Sequence, residues 1–307
     1  MNKKLLPAVI AMAFAGSAFA ESDVYGKINL SLQNADEGDS STLELRNNNS
    51  RLGFKGTEDV DGGLTVIYQY ELGVDPSEGN TTWTKRNSFL GIKGDFGKVR
   101  AGFFDTAMKS SQGKVDLFND LEGDIASIIT RNDNRVSNVV SYTTPSASGI
   151  SATVDYIMSE NEDVDAGVSG SVSYSNDSLY LAVAADSKVE WVDTGTGLDN
   201  DTSTVRAVAA YTISAFQLGA LYESFSPPGD ADSVSGWLVS GKYSVNKWDL
   251  KAQYGASDIV QEGGTSASIG VDYNLTSNFT WLSYITSEES DLGLDDTYIG
   301  FGGVLKF

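Results

Sequence analysis

The stretch 297-TYIGFGGVLKF-307 places Ile299, Phe301, Leu305 and Phe307 on one parity, and Gly300, Gly302 and Lys306 on the other. Successive side chains of a β-strand point to opposite faces, so this spacing builds one apolar face and one small or polar face. A second stretch, 22-SDVYGKINLSLQ-33, repeats the pattern, with Ile28, Leu30 and Leu32 set against Lys27, Asn29 and Ser31. Pairing the two closes a sheet on itself and leaves no edge. An edgeless barrel is one of only two backbone arrangements that hydrocarbon tolerates. Lipid then covers the apolar face, and water fills an interior that is polar.

The same alternation recurs along the chain. It marks sixteen candidate strands: 22–33, 42–57, 62–74, 83–94, 97–104, 134–144, 148–158, 167–175, 178–187, 202–212, 214–224, 233–244, 246–256, 265–275, 277–286 and 295–307. Most approach or exceed the ~9–11 residues that a tilted strand needs to cross a bilayer core. Short links at 95–97, 145–147, 175–178, 212–214, 244–246 and 275–278 alternate with longer ones. A soluble sandwich has no reason to gather its short turns at one end, whereas an outer-membrane barrel has short periplasmic turns and long external loops. Tyr142, Tyr174, Tyr180, Tyr211, Phe216, Tyr243, Trp248, Tyr273, Phe279 and Phe307 stand beside the short links. Amphipathic rings favour the boundary of lipid and water, so these predict an aromatic girdle.

Composition removes most other classes. With no Cys and no His, neither a Ser-His-Asp or Cys-His catalytic site nor an imidazole or thiolate zinc site can form. No enzyme activity is expected, and no cofactor. The acidic clusters at 160–167, 193–202, 227–233 and 287–296 read as solvated loops, since none has the spacing of a calcium loop; no metal site is expected. The net charge is −21, which makes nucleic acid an unsuitable partner. Residues 1–20 have the basic start (Lys3, Lys4), apolar centre and Ala18-Phe19-Ala20 ending of a cleaved signal peptide. The barrel domain is therefore expected over 21–307.

One connection breaks the rhythm. The segment of about 105–134 is far longer than the other links and carries Val115, Leu117, Phe118, Leu121, Ile125, Ile128 and Ile129. Long loops in compact folds are usually functional, and such apolar content predicts packing rather than free solvation. Folded inward, it would narrow a pore.

The motifs YGKINLSL, SRLGFKGTEDVDGGL, KRNSFLGIKGDFGKVRAGFFDT and NRVSNVVSYTTP, with the terminal Phe307, resemble the trimeric general-diffusion porins of Gram-negative outer membranes. The resemblance implies a sixteen-stranded antiparallel transmembrane β-barrel whose third external loop bends inward as a constriction. It also implies a homotrimer in contact with outer-membrane lipid and lipopolysaccharide, passing small hydrophilic solutes. By the same resemblance Arg51, Arg86 and Arg135 match a wall arginine cluster and Lys27 an added wall lysine, while Asp116 and Asp120 match acidic loop residues. The chain has Asn119-Asp120-Leu121-Glu122-Gly123 where the family often has Pro-Glu-Phe-Gly-Gly, so Glu122 shares or replaces the acidic role.

Parity places Arg51 with Gly53 and Lys55, and Arg100 with Lys98, on the lumen face. Arg86 shares parity with outward Leu90 and Ile92, so its place in the cluster requires a bulge or a strand facing a neighbouring subunit. Ser88 and Asn138 are polar outward candidates for such a subunit face. The expected function is passive, non-saturating diffusion. The alternatives are a saturable, substrate-specific channel, or an adhesin or phage-receptor role of the acidic external loops.

Overall fold

A computed structural model describes residues 20–79, 83–160, 162, 164–189 and 201–307. The predicted signal peptide, but for Ala20, lies outside the described residues, as do most of the acidic cluster 193–202 and part of the cluster 160–167. The strand segments are β1 (Ala20–Glu37), β2 (Ser40–Asn47), β3 (Arg51–Val60), β4 (Leu64–Gly73), β5 (Thr84–Gly94), β6 (Gly97–Asp105), β7 (Arg135–Thr143), β8 (Ile150–Ile157) and β9 (Gly167–Ser175). They continue as β10 (Leu179–Ser187), β11 (Ser203–Ile213), β12 (Phe216–Ser226), β13 (Val234–Val245), β14 (Trp248–Ser257), β15 (Gly264–Asn274), β16 (Phe279–Glu289) and β17 (Asp295–Lys306). Two single-turn helices, α1 (Ala107–Ser111) and α2 (Ile125–Ile128), lie between β6 and β7.

All pairings are antiparallel, and β17 pairs with β1 in the register Lys27↔Lys306 to Glu37↔Asp296. Gly26 and Phe307 complete the seam by exchanging backbone hydrogen bonds of 2.8 and 3.1 Å. Along its other edge β1 pairs first with β3, over Ala20–Lys27, and then with β2, over Leu30–Glu37, so that over Leu30–Glu37 both edges are occupied. The segments β2 and β3 are one span interrupted at 48–50. There Asn49 takes a positive φ of 56°, and Ser50 Oγ accepts from the Asn29 amide at 2.9 Å. The seventeen segments thus make the sixteen-span closed barrel that the alternation predicts.

Outward parity is predominantly apolar, with Leu32, Leu90, Val183, Leu218, Ile269 and Phe301 all more than 40% exposed on a single chain. Fully covering such a side chain with lipid is worth roughly 1.5–3 kcal/mol. The aromatic residues beside the short links form contacts along the outer surface: Phe216 and Tyr243 lie 4.6 Å apart, and Trp248 and Tyr273 4.5 Å. Tyr180 departs from the predicted girdle. It has the parity of buried Ala182 and Ala184, and its hydroxyl donates to the Ser111 carbonyl at 2.9 Å.

The inward face is not uniformly polar. Ala182, Val208, Leu221 and Leu238 project inward and pack with Val115, Ile125, Ile128 and Ile129 of the 105–134 segment. A second cluster joins Phe118 and Leu121 to Ala35, Leu282, Tyr284 and Tyr298. Polar side chains between these clusters hold the segment's backbone. Ser240 donates to the Val115 carbonyl at 2.6 Å, Ser257 to that of Ile129 at 2.9 Å, and Gln253 to that of Gly123 at 2.9 Å. Backbone groups outside regular structure are thereby satisfied, as burial requires.

Candidate functional site

A polar cleft of about 350 Å³ lies between β3–β7 and the 105–134 segment. Its charged lining comprises Arg51, Glu71, Arg86, Asp105, Lys109, Asp120, Asp124, Asp133 and Arg135. Cross-strand register explains the first of these. Lys27 stands directly opposite Arg51, and Tyr25 opposite Gly53, which in turn faces Glu71. Glycine is required at position 53, because a Cβ there would strike the Tyr25 ring. The Tyr25 hydroxyl donates to Glu71 at 3.0 Å.

Arg86 reaches the same group through a β-bulge. Tyr70 pairs with Ser88 but Leu72 with Lys85, so Arg86 and Asn87 together oppose the single residue Glu71. The extra residue reverses the parity of what precedes it. Arg86 therefore points inward although Leu90 points out, and its Nε donates to Glu71 Oε1 at 2.9 Å. A similar shift between Gly102 and Phe104 sets the strand end where Arg135 faces Asp105. Arg135 pairs with Asp105 at 2.8 Å and donates to Asn87 at 3.0 Å.

Asp120 is the acid of the segment that meets this wall. Its backbone has φ 68°, a left-handed turn that aspartate tolerates, and its amide donates to Asp124 at 2.8 Å. The turn aims the Asp120 carboxylate at Lys27, with which it pairs, and at Arg51, 3.5 Å away. Burial raises its pKa, but the ammonium of Lys27 and the guanidinium of Arg51 outweigh this and hold it below the usual carboxylate range. Asp124 behaves oppositely. Burial and then the nearby Asp116 push it up to about 8.

The remaining predicted residues lie elsewhere. Glu122 pairs with Arg46 at 3.0 Å and accepts from Gln33 at 2.9 Å, against the first hairpin. Asp116 accepts the amides of Phe118 at 2.9 Å and Ile125 at 3.1 Å, which makes it a turn-holding acid of the segment's interior. Arg100 lies between the rings of Phe89 and Phe104, at 5.1 and 4.3 Å, and outside the cleft. Five charged participants were not predicted: Glu71, Asp105, Asp124, and the pair Lys109 and Asp133, which lie 2.7 Å apart. Glu71 had a signal, since its parity matches Gln69 against outward Tyr68 and Tyr70. Among the described residues, no cluster is arranged to hold a metal ion.

A closed barrel of sixteen spans with a charged cleft against a long inter-strand segment matches a known family. The family model described as "Gram-negative porin" covers residues 8–292. The chain belongs to this family. It is an outer-membrane β-barrel. The major outer membrane protein P.IB of Neisseria gonorrhoeae is 30% identical over 172 residues, covering 52% of this chain and 49% of that protein. The chain thus spans about half the length of that relative. A monosaccharide porin of a Halomonas species is 25% identical over 336 residues, covering 98% of this porin and 89% of its own length. The anion-selective porin from Comamonas acidovorans shares the fold with a TM-score of 0.79 at 22% identity, covering 94% of this chain and 100% of that one.

Proposed function

We propose that this porin is a passive, water-filled channel for small hydrophilic solutes, with the 105–134 segment as its constriction and a homotrimer as its assembly in outer-membrane lipid and lipopolysaccharide. The observation that carries the reading is the cleft in which Asp120 of the segment confronts Lys27 and Arg51 of the wall. Charges of opposite sign on facing sides of a narrow wet gap create a transverse field that orients water and dipolar solutes. Apolar solutes must disturb that ordered water, so they pass slowly. No covalent step is needed, and flux follows the gradient.

The cleft is close to charge-balanced. Arg86 pairs with Glu71 and Arg135 with Asp105 on the wall, and Lys109 with Asp133 within the segment, so three of the cleft's cations are matched locally. Asp124, with its raised pKa, is largely protonated at neutral pH. Selectivity between anions and cations is therefore weak in the constriction. The acidic external loops supply a mild cation preference at low salt, where screening is least. Liposome swelling with sugars of graded size tests the reading. Rates that fall smoothly with size support it. One sugar far above the trend would establish instead the saturable channel that the name of the Halomonas relative suggests.

A further inference from the structure

We propose that Arg206 is a positioning residue that clasps both ends of the 105–134 segment and so fixes the width of the passage, an assignment that rests on the channel reading above. Arg206 on β11 and Glu223 on β12 are direct cross-strand partners, and both are fully buried. Nε and Nη2 of Arg206 lie 2.7 and 2.6 Å from Glu223 Oε2. The remaining donors go to the segment. Nη1 donates to the Met108 carbonyl at 3.1 Å, and Nη2 to Thr130 Oγ1 at 2.9 Å.

Met108 belongs to α1, just after the segment leaves β6; Thr130 lies just after α2, where the chain returns toward β7. One guanidinium therefore ties the outgoing and returning limbs to one point on the wall. Thr130 completes the joint with its full bonding capacity. Its hydroxyl donates to Glu223 Oε1 at 2.6 Å and accepts from both Arg206 and the Asn132 amide, the latter at 2.9 Å. Beyond it, Asn132 donates to Asp186 at 3.0 Å and accepts from Thr204 at 2.9 Å, so the returning limb is held at successive positions.

Two considerations favour placement over mere stability. A buried ion pair is often no more stabilising than apolar residues of similar volume, and apolar neighbours Val208 and Leu221 are already at hand. In addition, the planar fork of arginine meets three acceptors at set angles, which the single ammonium of lysine cannot do. Arg206 does not line the polar cleft, so it acts on solutes only through the segment it holds.

The test uses the full chain refolded in detergent, with single-channel recording and liposome swelling on Arg206→Lys, Arg206→Met with Glu223→Leu, and Thr130→Val. Folding is confirmed by heat-modifiable electrophoretic mobility. The expected result is loss of the parent's single conductance level, replaced by several sublevels, with a changed size dependence for sugars and an unchanged reversal potential. Arg206→Lys should behave like the apolar pair, because charge is kept while the bridge is lost. Folded variants with the parent's conductance, noise and size dependence would overturn the proposal. So would failure of every variant to fold, which would make the joint a folding determinant. A parent protein that leaves the bilayer silent would instead remove the channel reading, and the proposal with it.

Discussion

Asp120→Asn is the sharpest probe of the constriction. The substitution removes one negative charge that now sits 3.5 Å from Arg51 and in contact with Lys27. The carboxylate is held ionised by those two cations, so the full charge is lost at neutral pH. An ion passing at about 7 Å in an aqueous lumen feels about 0.6 kcal/mol from a unit charge, reduced to about 0.3 kcal/mol by 0.1 M salt. That is a factor of about 1.6 for each ion sign, in opposite directions, or roughly threefold in the anion-to-cation permeability ratio. Across a tenfold KCl gradient an initially unselective pore would then shift its reversal potential by about 20 mV toward anions. The shift should shrink as salt rises. Planar-bilayer recording measures both quantities, and no shift, or one toward cations, refutes the placement of Asp120 beside the passage.

Three further outcomes are expected. Phe118→Ala removes a fully buried ring that seats the segment against Leu282 and Tyr284, at a cost of about 3–5 kcal/mol to that packing; a lowered midpoint of thermal unfolding in detergent, with retained barrel circular dichroism at 25 °C, would report it. Asp124 should make stability pH-dependent. Its folded pKa, about 8, is above an unfolded value of about 4, so the folded state binds the extra proton, and the stability contributed is fully present below about pH 4 and lost as pH rises toward 8. Melting midpoints should therefore fall from pH 5 to 9 in the parent, and less steeply in Asp124→Asn; equal slopes would remove the assignment. Glu71→Gln unpairs Arg86 and should shift reversal potential toward anions without altering the fold, since the amide still accepts from Arg86 Nε.

The barrel was legible because its physics is local. A period of two, the alternation of short and long links and the pairing of 22–33 with 297–307 follow from side-chain direction and the cost of an open edge in lipid. The site was legible only in part. Arg51 and Lys27 follow from parity, but Arg86 depends on a bulge, and nothing in KRNSFLGIK signals where one extra residue is accommodated. Asp116, Asp120 and Glu122 lie within seven residues in a segment without periodicity, so their three different environments were fixed by tertiary contacts alone.

Two anomalies in the sequence explain each other. The insertion is too apolar for a solvated loop, with Val115, Phe118, Ile125, Ile128 and Ile129 all almost fully buried. Strands β10–β13 are too apolar for a wet wall, since Ala182, Val208, Leu221 and Leu238 all point inward. Each excess is costly alone and favourable when one covers the other. Inward arginine beside inward valine, as in 205-VRAV-208, then has a physical reading. The valine marks wall that the segment covers, and the arginine marks where its buried backbone carbonyl must find a donor. Basic residues on uncovered wall, such as Arg51 and Arg86, have neighbouring inward positions filled by Gly53, Glu71 and Asn87 instead. Paired parity and polarity along each strand thus divide the interior into a wall that faces the passage and a wall that holds the segment in place.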